Sequence, residues 1–181
     1  MTMDNICDKV SQLKGRYREK EPASLIRAMD VLLLSQPLGT HKTACKGFFM
    51  TQSRVRVITV NSDLPDELRR IILAHELGHA VLHGGRTGVK AFHDFQLFDE
   101  TSRYEYEANI FAAELLMSDE DVLELLNDDI SFFAAAGCLG VPPELLDFKF
   151  RILKRKGYKV IDPPLGASSR FLKDFSKLSS L

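Results

Sequence analysis

Three histidines spaced four residues apart, in the stretch LAHELGHAVLH from Leu73 to His83, constrain this chain more than any other feature. Residues four apart lie on one face of an α-helix, so His75 and His79 are predicted to share a face. That face also carries apolar residues, and together they form one stripe: Leu68, Ile71, Ile72, His75, His79 and Leu82. Two imidazoles buried in such a stripe require polar partners.

The residues around the first two histidines favour a metal ion as their common partner. Side chains at positions i and i+4 hold their Cβ atoms ~5–6 Å apart, so both rings can reach one ion. Glu76 follows His75 in the His-Glu-x-x-His arrangement, which binds zinc and uses the glutamate to take a proton from water. Two core histidines satisfied by other groups are the structural alternative. His83 lies one turn further along, too far to share the ion comfortably, and is predicted to pack or to contact a ligand from outside.

A catalytic zinc site needs a third protein ligand, and the predicted helix over residues 102–117 is the best candidate to supply it. Glu105 and Asn109 lie on one face of this helix, together with small alanines that allow a second helix to approach closely. Glu105 is the predicted ligand, and Asn109 is a candidate to bond a histidine ring N–H and fix its tautomer. Glu107 is the competing ligand, but it points ~160° away from Asn109. The alternative role for Glu105 is helix capping, because Ser102 lies three residues earlier.

The remaining patterns predict a small sheet followed mainly by helices. After an amphipathic first helix, a second helix opens at Glu21 and Pro22. Residues 46–61 have the alternating pattern of a hairpin. Ser62 or Asp63 is predicted to cap the helix that carries the histidines. The predicted fold class is α+β, with a small N-terminal antiparallel or mixed sheet packed on a mainly helical, zincin-like core.

The chain is predicted to form a single domain over residues 1–160, with a helical C-terminal part over about 119–160 and a loosely held tail over 161–181. Ser118 followed by Asp121 resembles a capping box at the start of the C-terminal part.

Composition argues against several function classes. The hydrophobic share of 45% and charged share of 27% are those of a globular domain with a sizeable core. A formal net charge of −1 provides no global basic field to attract nucleic acid or an anionic membrane. No apolar run approaches the ~18 residues of a membrane span, and the N-terminal stretch lacks the apolar core of a signal peptide. The 3 cysteines have no metal-ligand spacing, so reduced thiols in a cytoplasmic protein are expected.

The histidine stretch and the downstream helix together resemble the ImmA/IrrE family of metallopeptidases. AHELGHAVLH followed by EYEANIFAAELLM carries the resemblance, and GFFMTQSRVRVITVNSDL resembles the hairpin that enters the active-site helix of that family. The similarity covers roughly residues 22–155. Ser118 departs from the pattern, because proline often follows ELLM in the family. This change affects how the helix ends and leaves the site untouched.

The resemblance implies a zinc-dependent endopeptidase of narrow specificity. It implies that His75, His79 and Glu105 bind the metal and that Glu76 is the catalytic acid–base. Members of the family typically cleave a helix-turn-helix transcriptional repressor, often encoded beside them on a mobile genetic element or in a stress-response operon. The expected partner is therefore a protein, with no membrane involved. Zinc is the default metal, although manganese or iron would suit the same ligands.

Two other function classes remain open. A non-catalytic, metal-dependent regulator would use the same ligands, but it has no use for a base at Glu76. Direct nucleic-acid binding fits poorly with the consecutive Pro142 and Pro143 and with the near-neutral charge. A cluster of basic residues nevertheless offers a surface for DNA or for a protein substrate: Lys149, Arg151, Lys154, Arg155 and Lys156.

Peptide hydrolysis also needs a donor for the developing oxyanion, and His93, Tyr104 and Tyr106 are the candidates. His93 is slightly favoured, although an exposed loop histidine without such a role is the alternative. We expect His93→Ala to slow substrate cleavage on the order of 10²-fold without loss of metal. Normal turnover in a metal-loaded His93→Ala variant would remove the loop from the mechanism.

Overall fold

The computed structural model of the chain describes residues 1–41, 43–84, 102–127 and 130–160, together with the backbone of residues 92 and 93. Within these residues the chain forms seven α-helices and four β-strands, which confirms the α+β class. In chain order the elements are α1 (Met3–Tyr17), α2 (Pro22–Ala28), β1 (Leu32–Gln36), β2 (Gly47–Gln52), β3 (Val55–Asn61), α3 (Asp66–Leu82), β4 (Phe92–His93), α4 (Arg103–Leu116), α5 (Asp119–Asn127), α6 (Phe132–Cys138) and α7 (Pro143–Arg155).

The four strands form one sheet in the order β1-β3-β2-β4. β1 runs parallel to β3, whereas β2 pairs antiparallel with both β3 and β4. The β2–β3 hairpin turns through Ser53 and Arg54, which have φ values of 49° and 68°. Positive φ at both central residues is the geometry that tight two-residue hairpins use. The predicted small sheet is therefore present, and it is mixed.

One face of the sheet packs against α3. Phe49 on β2 pairs with Ile58 on β3, and both side chains are buried in the core. At the start of β2, a Cβ on Gly47 would lie 2.5 Å from Cγ2 of Ile72 and 3.7 Å from Cγ of Glu76. The absence of a side chain at Gly47 therefore lets α3 lie directly on the strand backbone, with Glu76 beside it.

Gly78 brings α3 close to α4. A Cβ built on Gly78 would lie 3.2 Å from Cα of Ala108 and 3.2 Å from Cβ of Phe111. Ala108 is fully buried, so a small residue occupies the α4 side of this contact. The glycine within the His-Glu-x-x-His stretch thus sets the distance between the two helices that carry the candidate ligands.

The start of α3 lacks the side-chain cap that the sequence predicts. Pro65 occupies the N-cap position and makes no side-chain capping bond, so the prediction of Ser62 or Asp63 as the cap is wrong. Asp63 Oδ2 instead accepts a hydrogen bond from Gly39 N at 2.8 Å, and Asn61 Oδ1 accepts one from Asp63 N at 3.0 Å. These bonds close the loop ahead of the helix and use the side chain that would have capped it.

A charge cluster connects the C-terminal helices to α4. Lys149 is fully buried, and its Nζ lies 2.6 Å from a carboxylate oxygen of Glu114 and 2.6 Å from one of Asp119. Lys156 contacts the same two carboxylates at 2.8 Å and 2.7 Å. Lys149 therefore lies in the core and does not contribute to an exposed basic surface.

The cap predicted for α5 is present, because Ser118 Oγ accepts a hydrogen bond from the backbone N–H of Asp121 at 3.0 Å.

Some sequence-based predictions fall outside the described residues. They include the tail over 161–181 and most of the segment between Gly84 and Thr101. The division into one domain over residues 1–160 and a tail stays a prediction. Among the helices of the described ranges, none combines the length and the apolar character that a membrane span requires.

Two helical glycines provide a matched test of the α3–α4 contact. A Cβ on Gly15 in α1 would meet nothing within 4 Å. Gly15→Ala is therefore expected to raise the free energy of unfolding by about 0.5–1 kcal/mol through helix propensity. Gly78→Ala is expected to lower it by roughly 1 kcal/mol, because the methyl group must displace the backbone of α4. Chemical denaturation measures both changes. An equal gain in the two variants would show that the contact does not require glycine.

Candidate metal centre

Two imidazoles on α3 face each other in the core. His75 and His79 are 1% and 0% exposed, and their Nε2 atoms lie 3.0 Å apart. The ring centroids are 4.7 Å apart and the ring planes are inclined at 77°. The prediction that both side chains face the core is confirmed, and their Nε2 atoms converge on one point.

Glu105 on α4 directs its carboxylate to the same point. Its Oε2 lies 3.1 Å from Nε2 of His75 and 3.4 Å from Nε2 of His79. Ser102 caps α4 by accepting a hydrogen bond from the Tyr104 backbone N–H at 3.3 Å. One ligand-type atom from each of His75, His79 and Glu105 lies within 4.8 Å of the others. The structure thus brings together the three residues that the sequence predicts as ligands.

Asn109 and His83 contact the two histidines from outside this cluster. Asn109 Oδ1 lies 2.9 Å from Nδ1 of His75, one turn of α4 beyond Glu105. The Nδ1 of His83 lies 3.1 Å from Nδ1 of His79. Each histidine of the pair therefore has its Nε2 in the cluster and its Nδ1 against a neighbouring polar side chain.

Glu107 contacts the cluster through His83, a connection that the sequence reasoning missed. Its Oε2 lies 3.1 Å from Nε2 of His83, while Oε1 accepts hydrogen bonds from Arg103 at 2.8 Å and from the Met1 amino group. Burial alone would raise the pKa of the Glu107 carboxyl, but these three partners lower it to about 2. The sequence signal for this connection is the regular four-residue spacing of the histidines, which places His83 on the same face of α3 as His75 and His79.

The electrostatics of the cluster suit a cation. Burial lowers the pKa of His79 to about 4, and the contact with Glu105 offsets only part of that shift. Burial alone would raise the pKa of Glu105, but its contacts with the His75 and His79 rings outweigh burial and hold the pKa below its usual range. At neutral pH the cluster therefore contains a neutral imidazole and an ionised carboxylate, the forms in which these groups bind metals.

Glu76 lies next to His75 on α3 and is fully buried. Both of its carboxylate oxygens are shielded from solvent. Its Cγ lies beside β2, 3.7 Å from where a Cβ on Gly47 would be. The contribution of Gly47 was missed, because spacing within one helix gives no information about the strand beneath it.

The three oxyanion candidates lie in different surroundings. The Tyr104 ring meets the His83 ring edge-on, with centroids 4.9 Å apart. Tyr106 packs its ring against Phe148 of α7, with centroids 5.8 Å apart. The backbone of His93 forms part of β4, while its side chain lies outside the described residues. The oxyanion role stays a prediction for each of them.

The cluster fits a divalent metal ion. Its two imidazole nitrogens and one carboxylate oxygen are the kind of donors that zinc prefers, and three protein ligands are typical of a catalytic zinc site. The donors approach each other in largely buried surroundings, where a cation among them would offset the negative charge of Glu105.

In the structure, a His-Glu-x-x-His helix packs against a second helix that carries a converging carboxylate. This arrangement is typical of metallopeptidases. Residues 26–151 match the family Peptidase_M78, described as IrrE N-terminal-like domain. Because the match covers more than half of the chain, the chain belongs to this peptidase family. The family resemblance stated from the sequence is thereby confirmed.

A bacteriophage relative is similar over most of the chain. "Uncharacterized immunity region protein 2" of Bacillus phage phi105 is 33% identical over 140 residues, which cover 77% of this chain and 85% of the phage protein. The similarity therefore extends well beyond the short stretches that contain the candidate ligands.

We expect the protein, purified without chelator, to contain about one equivalent of divalent metal in elemental analysis. Glu105→Gln is expected to weaken zinc affinity more than Glu107→Gln, because the Glu105 carboxylate lies against the Nε2 atoms of His75 and His79, whereas Glu107 contacts His83. Competition titration against a chromophoric chelator compares the two variants. The reverse order of affinities would identify Glu107 as the ligand.

Proposed function

We propose that the protein is a zinc-dependent endopeptidase of narrow specificity that cleaves a helix-turn-helix transcriptional repressor. The observation that carries the proposal is the convergence of His75, His79 and Glu105 on the helix pair that also presents Glu76. Membership of a peptidase family supports the reaction class.

In this proposal His75 and His79 hold the ion through Nε2 and Glu105 holds it through a carboxylate oxygen. A bound zinc ion supplies Lewis acidity, which lowers the pKa of a water molecule and polarises the scissile carbonyl. Manganese or iron suits the same donors.

Glu76 is the proposed general base. Its side chain is turned about 100° around the helix from that of His75, so it leans over the site without being needed as a ligand. Burial against β2 limits the positions that its carboxylate can adopt. In this role Glu76 takes the proton of the attacking water and later delivers it to the leaving amine.

The proposed substrate is a cytoplasmic repressor encoded near the peptidase gene. The phage relative is named for an immunity region, and the resemblance to ImmA/IrrE peptidases implies a helix-turn-helix protein as the substrate. Both support a repressor context for the proposed protein partner.

The alternative functions account for fewer of the residues described above. A regulator that only binds metal has no use for a buried glutamate next to its first ligand. A DNA-binding surface on α7 would need its basic residues, but Lys149 is buried and Arg151 contacts Asp147 at 2.7 Å. The peptidase proposal accounts for Glu76 and for the ligand cluster together.

Substitution of Glu76 separates a peptidase from a binding protein. Glu76→Gln is expected to keep the metal, the fold and substrate binding, while cleavage falls on the order of 10²- to 10⁴-fold. Co-expression of either form with the adjacent repressor, followed by measurement of repressor length and abundance, tests this. Intact repressor retained by Glu76→Gln alone is the expected result.

Glu67→Gln is the matched control, because Glu67 is an exposed glutamate on the same helix. It is expected to cleave the repressor at the wild-type rate. Equal loss of repressor in the wild type and in Glu76→Gln would contradict the peptidase proposal and favour a binding role.

A further inference from the structure

A line of three buried side chains, His79, His83 and Glu107, leads from the ligand cluster on α3 to α4. His79 contacts His83 through Nδ1 atoms 3.1 Å apart, and Nε2 of His83 lies 3.1 Å from Oε2 of Glu107. The side chains of His83 and Glu107 are only 4% and 7% exposed, so bulk water does not replace these contacts.

The carboxylate at the end of this line determines where each proton lies. An ionised carboxylate only accepts hydrogen bonds, so Nε2 of His83 must donate to Glu107. A neutral His83 ring then presents a lone pair at Nδ1, which accepts a hydrogen bond from Nδ1–H of His79. His79 in turn presents the lone pair of Nε2 to the point where Glu105 and His75 converge.

The other histidine of the cluster lacks such strict control. Asn109 faces Nδ1 of His75, and an amide offers either an oxygen acceptor or a nitrogen donor. The Asn109 Nδ2 atom is buried and has no hydrogen-bond partner in the described part of the chain. An amide is compatible with both tautomers of His75, whereas the carboxylate of Glu107 permits only one order of protons along its line.

We infer that Glu107 and His83 are positioning residues that hold His79 in its Nδ1–H tautomer and aim its Nε2 at the metal. The inference rests on the proposed metal site, and it assigns to Glu107 and to the third histidine of the stretch a role in metal affinity without direct coordination. Polar partners of metal-bound histidines generally raise metal affinity by about 10- to 100-fold.

Zinc affinity, measured by chelator competition, tests the inference in the full-length chain. Glu107→Gln is expected to raise the zinc Kd about 10- to 100-fold, because the amide no longer selects one His83 tautomer. His83→Phe is expected to have a similar effect, since it removes the acceptor for His79 and retains a ring. Unchanged affinity in a folded Glu107→Gln variant would overturn the inference.

Arg103→Gln is the matched control. Arg103 contacts the other oxygen of Glu107, its side chain is 74% exposed, and its removal leaves the bond to His83 in place. Its zinc Kd is expected to stay within about twofold of the wild-type value, because exposed ion pairs contribute little. A Kd raised as much as in Glu107→Gln would show that the charge of the pair matters and the tautomer does not.

The tautomer can be measured directly, and without metal, by ¹⁵N NMR of histidine-labelled protein at pH 8. His83 is expected to carry its proton on Nε2 in the wild type and to populate both tautomers in Glu107→Gln. A proton on Nδ1 of wild-type His83 would overturn the inference. Failure of the wild type to bind zinc would instead contradict the proposed function, and the NMR result would still report on the Glu107–His83 pair.

Discussion

The close contact between α3 and α4 is the constraint on which the candidate metal centre depends. Two of the converging atoms come from α3 and the third from α4, so the helix separation determines whether they can share an ion. Metal sites tolerate deviations in ligand distance of only about 0.2 Å. Gly78 against the backbone of Ala108 allows a spacing that larger residues would prevent.

Much of the fold was predictable because its local patterns agree with its packing. Alternation predicted the β2–β3 hairpin, and helical periodicity predicted that His75 and His79 face the core, although α3 is buried on every side over residues 71–80. The start of α3 was not predictable, because Asp63 bonds to Gly39, a residue 24 positions away in sequence. The burial of Lys149 was equally hidden, since its partners Glu114 and Asp119 lie on other helices.

In the candidate site, too, local patterns were predictable from the sequence and contacts between distant residues were not. Helical geometry was sufficient to place Glu105 on the face that meets His75 and His79, and the structure brings these side chains together. It was not sufficient to place Glu107, because an angle around one helix gives no measure of how far a side chain reaches towards another. Glu107 and Asn109 lie on opposite sides of α4. The Glu107 carboxylate nevertheless contacts Nε2 of His83, which lies one turn beyond His79 on α3.

The glycine at the start of β2 implies an unusual distribution of tolerance to mutation. A Cβ on Gly47 would lie 2.5 Å from Cγ2 of Ile72 and 3.7 Å from Cγ of Glu76, whereas the converging nitrogens belong to His75 and His79. Under the proposed roles, loss of proton transfer by Glu76 and loss of the metal ion would therefore arise from substitutions at different residues. The proposed function therefore implies that natural variants which keep the metal but lose cleavage include substitutions in the sheet, at positions such as Gly47 that carry no functional group.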